Sequence, residues 1–120
     1  MSSTTFLSMA KAVAYLGDAA NAQQLLVTLQ STLETEIPKI QDAIASQNFE
    51  ILQKILHQLK GFAPVFCQDE LVTQISHTEA LCKHTDRDDL KTTALDASSQ
   101  LLAHLKSLRL EVKAQLQPTA

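Results

Sequence analysis

The sequence contains few of the residues that interrupt helices. Its 120 residues include 2 glycines, 3 prolines and no tryptophan. Few positions therefore suit tight turns, whereas leucine, alanine, glutamine, lysine and glutamate, all of which favour helices, are plentiful. The composition predicts one all-α domain that spans residues 1–120.

Cysteine is scarce as well. Cys67 and Cys82 are the only two cysteines, which is too few for a disulfide framework, and we expect both to be small buried hydrophobic residues. The N-terminus does not have the basic residues followed by an apolar run that are typical of a secretion signal. A cytoplasmic location is the expectation that follows.

The sequence also lacks an excess of basic charge and long apolar runs. The net charge is −3 and the pI is about 5.7, with acids and bases interspersed, so no basic stripe is present that could follow a phosphate backbone. No apolar run approaches the roughly twenty residues needed to cross a bilayer. We therefore expect neither nucleic-acid binding nor membrane insertion.

Apolar residues instead recur at helical spacing. Residues 4–16 predict a short first helix that stops at Gly17, a natural C-cap. A long second helix is predicted over residues 19–45, and Pro38 is expected to kink or divide it. The apolar stripe of this second helix is Leu25, Leu29, Leu33, Ile37, Ile40 and Ile44.

A turn at residues 46–48 separates the second helix from a third, for which Asn48 is the candidate N-cap. Pro64 is expected to end or bend this third helix early, and Gln68 already belongs to the next segment. The apolar stripe of the third helix is Leu52, Ile55, Leu56, Leu59, Phe62 or Ala63, and Phe66.

Two further helices complete the pattern. A fourth is predicted over residues 69–83, with Leu71, Ile75, Thr78 and Cys82 facing inward, and a polar loop follows at residues 84–89. A last helix over residues 90–116 presents Ala94, Ala97, Leu101, Leu105, Leu108 and Val112. Four long amphipathic helices with short loops predict an antiparallel up-and-down four-helix bundle, with the short N-terminal helix packed on one end.

The outward face of the third helix carries an unusual set of residues. His57 lies about 160° around the helix from the middle of the apolar stripe, so it faces away from the core. Gly61, one turn later, costs an exposed helix about 1 kcal/mol relative to alanine, which suggests that another backbone or a ligand approaches closely there. A neutral imidazole is nucleophilic near pH 7 and can accept a phosphoryl group, whose charge Lys60 could offset.

The segment H-Q-L-K-G, residues 57–61, resembles the signature of the histidine-containing phosphotransfer (HPt) domain, in which His-x-Leu-Lys-Gly carries the phosphorylated histidine. The resemblance covers most of the chain, because the family is itself a four-helix bundle with an extra N-terminal helix. It includes Leu71 after the motif and the segment LVTQISHTEALCK, which ends at Lys83. The sequence departs from the family at Phe62 and Ala63, where Ser-Ala is common, and at Pro64 and Cys67, where small residues and glycine are usual.

The resemblance implies roles for individual residues. His57 matches the phosphorylated histidine, Lys60 the lysine that helps to neutralise the phosphoryl group, and Gly61 the glycine that lets a partner dock closely. Glu79 falls where relatives can orient the imidazole, and Lys83 falls where some have a further basic residue. An exposed ion pair between Glu79 and Lys83, four residues apart, remains an equally simple interpretation.

The expected docking face for a partner comprises four residues of the third helix: Gln53, Lys54, Gly61 and Pro64. The family resemblance implies that a response-regulator receiver domain docks there and exchanges a phosphoryl group between its aspartate and His57. This chain would then need no cofactor and no ATP site of its own, since the receiver would supply Mg²⁺. We expect a monomeric phosphocarrier, not an enzyme, and leave open whether it is free-standing or part of a hybrid sensor kinase.

The same residues bear on other classes of function. A structural or adaptor bundle, whose His57 and Gly61 face binds a protein without phosphoryl chemistry, remains open. A zinc site is not expected, because the histidines and cysteines show no C-x-x-C or H-x-x-x-H spacing. No nucleotide-binding glycine loop or nucleophile with a paired base suggests a hydrolase.

Overall fold

A computed structural model describes residues 6–116 of the protein, and in that range the chain forms helices and no strand. The helices are α1 (Met9–Leu16), α2 (Ala19–Ala45), α3 (Phe49–Phe66), α4 (Asp69–Lys83) and α5 (Asp88–Leu116). The prediction of an all-α fold is confirmed. None of these helices combines the length and the apolarity that a bilayer crossing requires.

Short polar side chains fix where the first three helices begin. Ser8, Asp18 and Asn48 each accept a hydrogen bond from the backbone N–H three residues later, and thereby occupy a donor that the first helical turn leaves unpaired. Gly17 ends α1 in the left-handed conformation, with φ of 89°. The predicted caps at Gly17 and Asn48 are confirmed.

The first helix begins later in the structure than the sequence pattern predicts. Its residues 4 and 5 lie outside the described range, and α1 starts only at Met9. The backbone before it bonds to the connection between α3 and α4: Ser8 N–H donates to the carbonyl of Phe66, and Gln68 N–H donates to the carbonyl of Phe6 at 2.8 Å. These bonds to distant backbone replace the helical ones.

The carboxylate of Glu111 on α5 holds the same N-terminal segment from the other side. Its Oε1 accepts hydrogen bonds of 3.0 Å from the N–H groups of Phe6 and Leu7. Lys11 Nζ donates to the carbonyl of Cys67 and to Asp69, both at 2.7 Å. The N-terminal segment is thus tied to the α3–α4 connection and to α5.

Neither internal proline divides its helix. Pro38 lies within the uninterrupted α2, and α3 continues past Pro64 to Phe66. Of the two expectations for Pro64, an early end or a bend of the helix, the early end is wrong. Both prolines are exposed, and each removes one backbone hydrogen bond. Burial of apolar neighbours such as Ile37 and Phe66 on the core-facing side of the same helices offsets that loss.

The last helix starts before the predicted position, at Asp88 instead of residue 90, so the preceding loop covers residues 84–87. Asp88 and Asp89 form part of the first turn, where carboxylates interact favourably with the positive end of the helix dipole. The acidic residues Asp88 and Asp89, which suggested a loop, therefore belong to the N-terminal turn of α5.

The apolar stripes of the helices meet in one buried cluster. In α2 the innermost residues include Leu26 and Ala43, while the predicted Leu25 and Ile44 are only partly buried. In α5, Ser98 is buried where Ala97 was expected. Helix α3 packs on α2 and α4, α5 packs on the same two helices, and α1 covers α2 and α3.

Candidate functional site

A buried carboxylate lies at the centre of the candidate site. The side chain of Glu79 is 2% exposed, and Glu79 belongs to the inward row of α4 together with Leu71, Ile75, Thr78 and Cys82. The interpretation of Glu79 and Lys83 as a solvent-exposed ion pair is therefore wrong. An ionised carboxylate in such a position requires hydrogen-bond donors and opposite charge.

Four side chains supply what the Glu79 carboxylate requires. Lys60 Nζ lies 2.7 Å from Oε1. The other oxygen, Oε2, accepts a hydrogen bond of 2.8 Å from Gln53 Nε2 and lies 3.0 Å from His57 Nδ1 and 3.5 Å from Lys83 Nζ. Helix α3 presents three of these donors because Gln53, His57 and Lys60 are four and three residues apart on one face.

These contacts keep Glu79 ionised. The hydrogen bond from Lys60 is the largest influence and lowers the pKa of the carboxyl, burial opposes it, and the bonds from Gln53 and His57 add to the lowering. Together they bring the pKa of Glu79 from 4.5 to about 2. At neutral pH the group is a carboxylate and can only accept hydrogen bonds.

The charge state of Glu79 determines which nitrogen of the His57 ring carries the hydrogen. Because Oε2 cannot donate, the 3.0 Å contact with His57 requires the hydrogen to be on Nδ1. In the neutral ring the lone pair is then on Nε2. The His57 side chain is 65% exposed, as the outward position predicted, so the ring is accessible to an approaching molecule.

The remaining residues of the predicted docking face lie on exposed α3 surface. Lys54 forms an ion pair with Glu50 on its own helix, at 3.6 Å. Gly61 and Pro64 are exposed, and a β-carbon built on Gly61 would meet nothing within 4 Å. No packing within the described residues 6–116 therefore explains why residue 61 is a glycine.

The structure thus brings His57, Lys60, Glu79 and Lys83 together and leaves Lys54, Gly61 and Pro64 as open surface. Gln53, predicted as a docking residue, is half-buried and bonded to Glu79. The sequence did contain a signal for the burial of Glu79, because it follows Ile75 by four residues. No sequence signal pairs Gln53 with Glu79, since the two residues lie on different helices.

The two cysteine side chains are less accessible than His57. Cys67 and Cys82 are buried, as predicted, and burial raises the pKa of the Cys67 thiol to about 12 and also raises that of Cys82. Thiols of this kind are poor nucleophiles at neutral pH. Among residues 6–116, no three His, Cys, Asp or Glu side chains cluster as metal ligands would.

Comparisons with known proteins return nothing for this chain: no family model, no curated protein and no solved structure matches it. The geometry around Glu79 and the sequence of the His57 segment are therefore the features that bear on function.

Proposed function

We propose that this protein is a phosphorelay intermediate of the HPt type, in which His57 carries the phosphoryl group. One observation carries the proposal: an exposed imidazole is hydrogen-bonded through Nδ1 to a buried, ionised carboxylate, with two lysines beside it. A structural contact between neutral groups would not require a carboxylate and two lysines. A nucleophile that receives an anion does require cations beside it.

The proposed step is a phosphoryl transfer between an aspartate of a receiver domain and His57. The lone pair of Nε2 attacks phosphorus and forms an N–P bond, while the P–O bond to the aspartate breaks and its electron pair remains on the carboxylate that leaves. The Nδ1 hydrogen stays on the ring, which becomes positively charged. The contact between Nδ1 and Glu79 favours that charge, and the reverse step returns the phosphoryl group to a receiver.

The two lysines supply cations close to the arriving group. Lys60 and Lys83 are 38% and 49% exposed, so their ammonium groups can reach solvent as well as Glu79. A phosphoryl group on Nε2 would compete with Glu79 for them. We propose that Lys60 in particular moves from Oε1 toward a phosphoryl oxygen, which offsets the added negative charge.

Docking would use the open α3 surface. Gly61 leaves space for the backbone of a receiver to approach, and Lys54 and Pro64 flank the approach on the same helix. The receiver would provide Mg²⁺ and most of the catalytic groups, so that this chain contributes a positioned nucleophile. A cytoplasmic location, free or as part of a hybrid sensor kinase, is consistent with such a role.

The finer architecture belongs to the same proposal. The helix contacts form a closed cycle from α2 through α3, α4 and α5 back to α2, and the connections between consecutive helices are short. We propose an antiparallel up-and-down four-helix bundle, with α1 as the additional N-terminal helix.

Incubation with a panel of phosphorylated receiver domains tests the proposed function. We expect a phosphate on the protein that is labile in acid and stable in base, as expected for a phosphohistidine and not for a phosphoserine. His57→Gln should abolish the label. His77→Gln is the matched control, because His77 is an exposed histidine of α4, and this variant should label as the wild type does.

Two results would contradict the proposal. One is the absence of label on the wild type with every receiver tested, which would favour an adaptor that binds without phosphoryl chemistry. The other is equal labelling of the wild type and His57→Gln.

A further inference from the structure

Gln53 differs from the other three donors around Glu79. Lys60 and Lys83 carry positive charge, and His57 is the proposed reactant. Gln53 alone is both neutral and unreactive. Its amide Nε2 donates to Oε2 at 2.8 Å, and His57 Nδ1 contacts the same oxygen at 3.0 Å.

Two of the three contacts with Oε2, those from Gln53 and His57, constrain each other. Gln53 and His57 are one helical turn apart on α3, so both approach the carboxylate from the same helix. A carboxylate oxygen has room for two close donors, and the third neighbour of Oε2, Lys83 Nζ, is farther away at 3.5 Å. Without the Gln53 amide, the carboxylate can turn toward the ammonium of Lys60, and the Nδ1 hydrogen loses the acceptor that selects its position.

During phosphoryl transfer the two lysines cannot replace Gln53 as the donor that orients the Glu79 carboxylate. A phosphoryl group attracts their ammonium groups, whereas it attracts a neutral amide much less. The amide of Gln53 is half-buried and remains available to Glu79. A buried carboxylate that lost every donor would be strongly destabilised.

We propose that Gln53 is a positioning residue: its amide holds Glu79 Oε2 in the orientation that keeps the imidazole hydrogen on Nδ1 and leaves Nε2 as the attacking atom. The consequence for transfer rests on the proposed function of His57, while the effect on the ring does not. The lowering of the pKa of Glu79 by the Gln53 hydrogen bond agrees with this role.

Gln53→Met is the variant that tests the role, because methionine has similar length and helix propensity but no donor. Gln58→Met is the matched control, since Gln58 is an exposed glutamine of the same helix. Nitrogen-15 NMR of the neutral His57 ring reports which nitrogen carries the hydrogen. Carbon-13 NMR of the Glu79 carboxyl reports its titration, and neither measurement needs a receiver.

We expect the wild-type ring to carry its hydrogen on Nδ1 and Gln53→Met to show a mixture of both forms. The pKa of Glu79 should rise in Gln53→Met, and more in Gln53→Glu, where a second carboxylate replaces the donor. Gln58→Met should match the wild type in both spectra. The inference is overturned if Gln53→Met leaves both spectra unchanged or if Gln58→Met alters them equally.

Transfer kinetics complete the test. Phosphoryl transfer from a receiver to Gln53→Met should be slower by about tenfold, the lower end of the loss caused by removal of a side chain that orients a metal-binding histidine, and Gln58→Met should retain the wild-type rate. If Gln53→Met shows a mixture of both ring forms but still transfers the phosphoryl group at the wild-type rate, the proposed link between the ring form and transfer is overturned. If the wild type itself never labels, the proposed function fails while the spectra still decide the role of Gln53.

Discussion

Replacement of the buried carboxylate by an amide, Glu79→Gln, is the most informative single change to the site. Glutamine preserves the size of the side chain but removes the negative charge that Lys60, His57 and Lys83 share. Its one carbonyl oxygen can still accept a hydrogen bond, either from Lys60 or from Gln53. We expect the helices to form as before and the fold to be less stable.

The size of the loss follows from the exposure of the partners. Removal of one member of a fully buried ion pair costs about 3–5 kcal/mol because the other charge is left without water. Lys60 and Lys83 are 38% and 49% exposed and can regain water. The expected decrease in the free energy of unfolding is therefore smaller, about 1–2 kcal/mol near neutral pH, which is of the order of one hydrogen bond to a charged group.

The dependence of stability on pH identifies the charge as the cause. The pKa of Glu79 is about 2 in the folded protein and 4.5 in its ordinary state. As pH falls, the unfolded chain binds the proton first. The contribution of Glu79 to stability is therefore complete above pH 4.5 and is lost as pH falls from 4.5 toward 2.

Urea unfolding followed by circular dichroism, near neutral pH and at about pH 3, measures this effect. The wild type should lose more stability than Glu79→Gln between the two conditions. Glu34→Gln is the control, because Glu34 is an exposed glutamate of α2, and it should follow the wild type. Equal loss in the wild type and Glu79→Gln would refute the reasoning that Glu79 is a stabilised carboxylate.

Three further predictions concern the surface, the N-terminal segment and a thiol. Gly61→Ala should raise the free energy of unfolding by about 1 kcal/mol, since an added β-carbon meets nothing within 4 Å; a lower urea midpoint would show a contact that the structure lacks. Glu111→Ala should speed hydrogen exchange at the amides of Phe6 and Leu7, which donate to that carboxylate, and lower stability by about 1 kcal/mol; unchanged exchange would contradict this anchoring. Cys67, 1% exposed with a pKa raised to about 12, should react with iodoacetamide only as the protein unfolds, and rapid alkylation of the folded protein would argue against its burial.

Sequence periodicity was sufficient for the properties that one helix determines alone. The exposure of His57 follows from its angle to the Leu52 and Leu59 stripe, and the 3.6-residue period of α3 is enough to obtain it. The same period could have placed Glu79 inside, because it follows Ile75 by one turn. Glutamate is rarely buried unless it is paired, and the period of α4 does not reveal its partners on α3.

Contacts between two segments of the chain could not be predicted from periodicity. The bond between Gln53 and Glu79 depends on how α3 crosses α4, and the period of neither helix fixes that crossing. The start of α1 has a similar cause. Phe6 and Leu7 continue a helical pattern, but their backbone groups bond to Glu111 and to the α3–α4 connection, so tertiary contacts override local propensity.

The placement of the whole site on consecutive helices has a consequence for how it forms. Gln53 and His57 are 26 and 22 residues from Glu79 along the chain, with only the short α3–α4 connection between the helices. Contacts of such short sequence separation have a small loop-closure entropy and can form early in folding. The polar residues of the candidate site accordingly lie on this one pair of helices, while α2 and α5 pack against the pair through their apolar stripes.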